Sequence, residues 1–258
     1  MMGVVIFVVL TITFFISHWL PGDPTSLWVG PHPTEEQLSI AREKLGLNQS
    51  MFSQYINYIS NIFQGDLGVS LRTKQPITTE LSSRFAATFE LVSVSMLLSV
   101  LIAFPLGLLV ALKNNTKVDF MISGFGYIGL AIPVFWLGMI LQIIFFAWLG
   151  WFPLQGRVST DIYINNDLVI NTGFILFDTL FSGEWSLFFQ AVHHISLPVI
   201  TMSMAVIGII IRISKSSLMD IMREPFFTTF LSFGFTSQEI TAKSAYKNTV
   251  LPVSTIVG

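Results

Sequence analysis

Of the chain's 258 residues, 52% are hydrophobic and 11% charged, against about 25% charged in an ordinary soluble domain, so this much apolar surface needs lipid as its solvent. With no cysteine, disulfides, thiolate metal sites and thiol nucleophiles are excluded. A net charge of −2 with no run of lysine or arginine gives no grip on a nucleic acid.

A helix crossing a hydrocarbon core of ~30 Å takes about 20 mostly apolar residues. The first run, Gly3 to Leu20, is just long enough; His18 and Trp19 lie near its end, and the turn Pro21-Gly22-Asp23-Pro24 stops it. A signal peptide has a basic lead, a shorter apolar core and a small-residue cleavage site. None of these is present, so residues 1–20 read as a retained transmembrane helix.

Residues 21–85 read as an organised domain. Thr34 with Gln37 makes a capping box, Leu38, Ala41 and Leu45 form one apolar stripe, and Gly46 stands where a helix ends. Phe52, Tyr55, Ile56, Ile59, Ile62 and Phe63 have the spacing of a second amphipathic helix, ended by Gly65-Asp66-Leu67-Gly68. Burial favours packing of the two helices on each other, with the membrane surface or a partner protein as the alternatives.

Residues 86–258 carry the remaining runs. Leu91 to Leu112 is uncharged and predicts a helix over about 87–112; Glu90 lies at its entrance, where interfacial water would solvate a carboxylate of structural role. Phe120 to Leu149 is too long for an upright helix and holds Pro133 near its middle, so a tilted or kinked helix is expected over 120–149. Gln142 within it has no local partner and either lines a pathway or bonds between helices. Ile195 to Ile211 predicts a helix over about 195–213. A further helix, 248–258, begins near Val250 and is cut off at Gly258. A helix ending in mid-membrane leaves carbonyls unpaired in lipid, so the expectation is a chain truncated within its fifth helix, with a little missing from the N-terminus as well.

Lysine and arginine near helix ends favour the cytoplasm. Lys113 and Lys117 follow the second run, and Arg212, Lys215, Arg223, Lys243 and Lys247 follow the fourth, whereas the stretch 151–193 sets Asp161, Asp167, Asp178 and Glu184 against Arg157. The amino terminus is then cytoplasmic, and 21–85 and 151–193 lie outside. Leu180, Phe181, Trp185, Phe188 and Phe189 suggest a helix or wedge at the interface. His193 and His194 suggest metal ligands, but neighbours on a helix point about 100° apart, which favours an interfacial cap for the fourth helix.

Residues 214–247 form a cytoplasmic segment too polar to span. Ile213, Leu218, Ile221 and Met222 give an apolar side, Lys215, Asp220, Arg223 and Glu224 a polar one. Phe226, Phe227, Phe230, Phe233 and Phe235 then gather around Gly234. As a helix-turn-helix this segment would pass a push from a cytosolic motor to the spanning helices; equally, the phenylalanines would pack on the protein's own base.

The ordered series Leu20-Pro21-Gly22-Asp23-Pro24, Gly46-Leu47-Asn48-Gln49, Gly65 to Arg72 (Gly-Asp-Leu-Gly-Val-Ser-Leu-Arg) and Pro133 to Gly138 (Pro-Val-Phe-Trp-Leu-Gly) resembles the dipeptide, oligopeptide and nickel permease family of bacterial ABC importers. Leu197-Pro198-Val199-Ile200-Thr201 with Arg212, Ser216, Ser217 and Leu218 continues the likeness over nearly the whole chain. The resemblance implies an all-α integral membrane permease-type helical bundle with an extracytoplasmic helical domain after the first spanning helix. It also implies partners: a second homologous permease subunit, two ATP-binding ATPase subunits, an extracytoplasmic substrate-binding protein and membrane lipid, with no cofactor. It makes the Gly234 loop the ATPase-coupling segment, with Glu224, Phe226, Phe227, Thr229, Phe230 and Gly234 as its residues, ahead of Ala245, Lys247, Asn248 and Leu251-Pro252 at the family's spacing. The family tends to place small and basic residues before that glycine, where this chain has Thr229-Phe230-Leu231-Ser232-Phe233-Gly234, so apolar docking must carry more. A translocation pathway past Pro133, Phe135 and Gln142 is the matching expectation.

Enzyme readings lack their parts: there is no His-Glu-x-x-His, no Gly-x-Ser-x-Gly and no phosphate-binding Gly-x-x-x-x-Gly-Lys-Ser/Thr. An ATP-driven transporter would therefore take its ATPase from another chain. The expected function is peptide import into a bacterium across its cytoplasmic membrane. A nickel or nickel-chelate permease is the near alternative. A stand-alone secondary transporter, which would call for an inverted repeat and intramembrane carboxylates, and a membrane receptor or scaffold are the distant ones.

Overall fold

The computed structural model describes residues 1–19, 24–30, 33–159, 161, 172–242, 250, 254 and 255. Among them the regular structure is helical, apart from one antiparallel bridge between Val69 and Pro76. The chain divides into two units, Met1–Phe85 and Ala86–Gly258.

In the first unit, α1 (Met2–Trp19) is mostly apolar and buries only Phe14 within the protein. After α2 (Pro24–Val29) comes α3 (Glu35–Lys44), opened by the expected capping box: the Gln37 N–H donates to Thr34 Oγ1 at 3.3 Å and the Thr34 N–H to Gln37 Oε1 at 3.0 Å. Ser50 caps α4 (Met51–Phe63). The two amphipathic helices find other principal partners than each other. Helix α3 packs on α2, with the Lys44 ammonium 5.7 Å from the centre of the Trp28 ring. Helix α4 meets α1, where Tyr55 and Tyr58 sit 5.2 and 5.5 Å from the Phe14 ring and the Tyr55 hydroxyl shares a hydrogen bond with Thr11 at 2.8 Å. The reason is composition: α3 is dominated by charge (Glu35, Glu36, Arg42, Glu43, Lys44), while α1 offers α4 an apolar face.

Helix α5 (Ile77–Leu112) starts in the first unit and continues in the second. It begins well ahead of the expected residue 87, because polar residues extend a helix beyond the apolar window that reveals it. Helix α6 (Lys117–Ala131) is capped by Thr116. Then comes a break: α7 (Val134–Gln142) and the π-helical stretch Ile143–Trp148 run at 100° to α6. The tilted or kinked helix expected over 120–149 is therefore a broken pair. Pro133 has no N–H to give the preceding turn, and Ile132 before it is pushed into extended backbone at φ −87°, ψ 127°.

Helix α8 (Ile175–Ser182) ends at Gly183, whose φ of +76° suits glycine. Helix α9 (Trp185–Met222) contains Pro198 and is 38 residues long, or about 57 Å at 1.5 Å per residue. It overruns the expected 195–213 at both ends. So Ser214 to Met222 continue the spanning helix, and His193 and His194 lie well inside α9 rather than capping it. Helices α10 (Pro225–Ser232) and α11 (Ser237–Ile240) follow. Of the expected helix over 248–258 only residues 250, 254 and 255 are described; the Leu20 to Asp23 part of the first turn, Asn165 to Asp167, and Ala245 to Asn248 with Leu251-Pro252 lie outside the described residues.

Helices α1, α5 and α9 are long and apolar enough to cross a membrane, and the broken α6–α7 pair makes a fourth candidate. Ala103 and Phe104 of α5 pack with Ile207, Ile210 and Ile211 of α9 in the core. Small residues set the closest approaches, as they do between helices in lipid. A Cβ on Gly129 of α6 would lie 2.7 Å from the Met204 carbonyl oxygen of α9. Ser203 donates to the Ser95 carbonyl at 3.0 Å, so the α5–α9 contact also satisfies a buried hydroxyl.

Candidate functional site

Within the second unit, one end of the bundle is organised by a buried carboxylate. Glu90 of α5 takes a hydrogen bond from the Arg157 guanidinium at 2.5 Å and another from the Leu176 N–H at 2.7 Å. The second bond satisfies an N–H that the first turn of α8 leaves unpaired. Arg157 also donates to the Gly173 carbonyl at 2.9 Å. Glu90 is thus structural, as the sequence suggested, but protein groups rather than interfacial water hold it. Arg157 pairs with it from 67 residues away, a link with no local signature.

Between α7 and α9 lies a cavity of about 390 Å³. Phe135, Gly138 and Gln142 wall it on one side, Leu197, Pro198 and Thr201 on the other. A second cavity of about 260 Å³, lined by Glu90 and Arg157, shares Gly156, His194 and Pro198 with the first. The fold therefore brings Phe135 and Gln142 to one wall, while Pro133 stands at the N-cap of α7 and acts by breaking the helix. Gln142 does have a partner: its Nε2 donates to the Leu154 carbonyl at 2.7 Å. Apart from His194, the residues lining the larger cavity carry no ionisable side chain, and Pro198 has no N–H for the His194 carbonyl one turn back. The result is a weakly polar chamber with no fixed charge of its own.

His193 and His194 each meet a different backbone carbonyl, and His194 lines both cavities. Nε2 of His193 is 2.7 Å from the Trp151 carbonyl oxygen and Nδ1 of His194 is 3.3 Å from that of Gly156, with the two rings 85° apart. They fasten the 151–156 loop to α9 at two different points.

At the other end, α9 leads directly into the phenylalanine-rich segment, with only Arg223 and Glu224 before α10. Glu224 is the N-cap and Pro225 the first helical residue, a position where the missing N–H costs nothing. The phenylalanines divide between the protein's own base and its surface. Phe227 is 1% exposed and anchors α10 to the protein, whereas Phe233 is 75% exposed. Phe226 is half-buried, Thr229 is exposed and donates to the Pro225 carbonyl at 3.0 Å, and Phe230 sits edge-on to Phe235 at 5.7 Å. Gly234 adopts φ +89°, so glycine is required by the turn. Thr236 then caps α11 in a capping box with Glu239. The exposed surface of this helix-turn-helix is Phe230, Leu231, Phe233 and Phe235, an apolar rim at an element end.

Comparison with known proteins finds sequence matches in both units. A family model described as "Binding-protein-dependent transport system inner membrane component" covers residues 103–258. A second, "Binding-prot-dependent transport system membrane comp, N-term", covers residues 1–92. Similar curated proteins include the probable D,D-dipeptide transport system permease protein DdpB of Escherichia coli (strain K12), 35% identical over 97% of this chain and 73% of the relative. The dipeptide transport system permease protein DppB of Alkalihalophilus pseudofirmus is 33% identical over 96% of the chain and 73% of its own length. The oligopeptide transport system permease protein AppB of Bacillus subtilis is 32% identical over 96% and 72%.

Proposed function

Because the chain belongs to the binding-protein-dependent transport system inner membrane component family, we propose that it is a channel-forming subunit of an ATP-driven importer of peptides. The relatives just described are named for D,D-dipeptides, dipeptides and oligopeptides, which favours peptide cargo over nickel or a nickel chelate. A weakly polar cavity without fixed charge suits cargo whose side chains vary.

The observation that carries the reading is the continuity of α9. One helix walls the cavity at Leu197, Pro198 and Thr201 and runs to Met222, two residues short of α10. Only Arg223 and Glu224 separate α10 from α9, so a displacement of α10 is passed along one helix to the cavity wall. In the proposed cycle two ATPase subunits dock on the cytoplasmic segment 214–247, through the surface formed by Phe230, Phe233 and the turn at Gly234. Phe227 and Phe226 fix α10 to the base, Glu224 starts it, and Thr229 faces the partner. A second homologous permease subunit completes the channel and an extracytoplasmic binding protein delivers the peptide. The amino terminus is cytoplasmic on this reading, residues 1–20 span, and 21–85 and 151–193 lie outside. The break at Pro133 lets α7 change its angle to α6 when the cavity opens.

Gentle solubilisation tests the assembly. The tagged permease, co-expressed with its transporter, is expected to bring down ATPase subunits in a stoichiometric complex; a permease that brings down none contradicts the reading.

A further inference from the structure

Asp119 collects more bonds than a helix start requires. Thr116 already caps α6 and accepts from the Asp119 N–H at 3.4 Å. The carboxylate instead accepts from the Asn115 N–H at 2.9 Å, the Ser123 hydroxyl at 2.9 Å and the Lys215 ammonium at 2.7 and 2.8 Å. Asn115 holds φ +62°, an unusual backbone for a non-glycine residue, so the carboxylate braces the α5–α6 turn as well as α6. Lys215 belongs to α9, and neither side chain is more than about a quarter exposed: 9% for Asp119 and 23% for Lys215.

The residue before Lys215 tightens the same joint. Ser214 is fully buried against Gly107 of α5, where an added Cβ would lie 2.5 Å from the Ser214 Cβ. One turn further on, Leu218 packs on Ala111. Two consecutive residues of α9 thus engage α5, the α5–α6 turn and α6 at one level, about two helical turns before α9 ends at Met222. A desolvated ion pair contributes little net stability against an apolar replacement, but it is directional and breaks at high cost when one partner is lost. Its usefulness here is geometric: α6 leads across the break at Pro133 into α7, which walls the cavity, so the pair holds the start of the helix from which α7 hinges.

We propose that the Asp119–Lys215 ion pair is the coupling strut of this permease, transmitting displacement of the α10 segment through α9 to α6 and so to the cavity-lining α7. The proposal rests on the importer reading. Asp119 and Lys215 are positioning residues, touching no cargo.

The test uses the complete transporter in proteoliposomes, with its partner permease, both ATPase subunits, the binding protein and a mixture of labelled di-, tri- and tetrapeptides. ATP hydrolysis and peptide uptake are measured together for the wild type, Asp119→Asn, Lys215→Gln and the reversed pair Asp119→Lys with Lys215→Asp. In the assembled single variants, peptide taken up per ATP is expected to fall about tenfold or more while hydrolysis continues, and the reversed pair is expected to recover part of the loss. A variant that assembles with an unchanged ratio overturns the proposal. If Asp119→Asn does not assemble, Lys215→Gln decides in the same assay; failure of both to assemble assigns the pair to folding alone and also overturns it. Absence of ATP-dependent uptake by the wild type would sink the importer reading itself, whereas wild-type uptake with unchanged ratios in the variants sinks only the strut.

Discussion

Gly126 of α6 and Gly208 of α9 face one another so closely that a Cβ on Gly126 would lie 3.3 Å from the Gly208 Cα. With Gly129 against the Met204 carbonyl, this makes the α6–α9 contact one of backbone on backbone. This seam is a close α9–α6 contact separate from the Asp119–Lys215 pair. Replacing Gly208 by leucine forces the helices apart, a type of overpacking that costs about 1–3 kcal/mol. The expected outcome is a lower melting temperature for the purified permease in detergent and a loss of uptake; an unchanged melting temperature would show that the seam is loose.

Glu90 and Arg157 give a second prediction. Glu90→Ala removes the acceptor for both the Arg157 guanidinium and the Leu176 N–H, leaving a partly buried cation without its counter-charge, still held by the Gly173 carbonyl, at a cost of up to about 3 kcal/mol. Hydrogen exchange is expected to rise at Leu176 and through the first turn of α8, with α6 unchanged. Uniform protection across α8 in the variant would contradict the role of Glu90 as its anchor.

A third concerns the exposed rim. Phe233 is 75% exposed, and a surface substitution of this kind typically changes stability by no more than about 0.5 kcal/mol. Phe233→Asp is therefore expected to leave folding intact while weakening recovery of the ATPase subunits about tenfold or more, the loss typical of an apolar interface anchor. Undiminished recovery would place the docking surface elsewhere.

Gly234 separates backbone from contact. An added Cβ there meets nothing within 4 Å, yet the residue holds φ +89°, so Gly234→Ala strains only the backbone, by about 1–2 kcal/mol. The change should perturb ATPase association without disturbing the core, measured by binding of the isolated ATPase subunits to the permease. Gly234→Asn, which tolerates positive φ better, should be milder.

Much of this was legible from the sequence because it is local. The capping box of Thr34 and Gln37, the six-residue apolar pattern from Phe52 to Phe63, and the glycine turn at Gly234 each depend on neighbours within a few positions. Pro133 announced an irregularity, but not its size: a proline specifies that a hydrogen bond is missing, while the 100° turn is set by what α7 packs against. The ends of α5 and α9 were hidden because polar residues such as Thr78, Glu80 and Lys215 prolong a helix outside its apolar run. The ion pairs were invisible for a different reason. Asp119 and Lys215 are 96 residues apart, and no spacing rule links residues joined only by the fold. For the candidate pathway, sequence put Gln142 in the right helix but without its bond to Leu154, which depends on a loop folding back over α7.

That bond supplies a further test of the pathway. Gln142→Leu removes the donor to the Leu154 carbonyl and a polar group from the cavity wall, at a stability cost of about 1 kcal/mol. Peptide uptake is expected to slow with ATP hydrolysis retained. Uptake at the wild-type rate would remove Gln142 from the pathway.

The most direct test of the central claim is ATP-dependent uptake by the complete, purified transporter in proteoliposomes, with binding protein and labelled peptides supplied outside and ATP inside. The account predicts that peptide accumulates only when ATP, the ATPase subunits and this permease are all present. Accumulation without ATP, or none with every component in place, would contradict it.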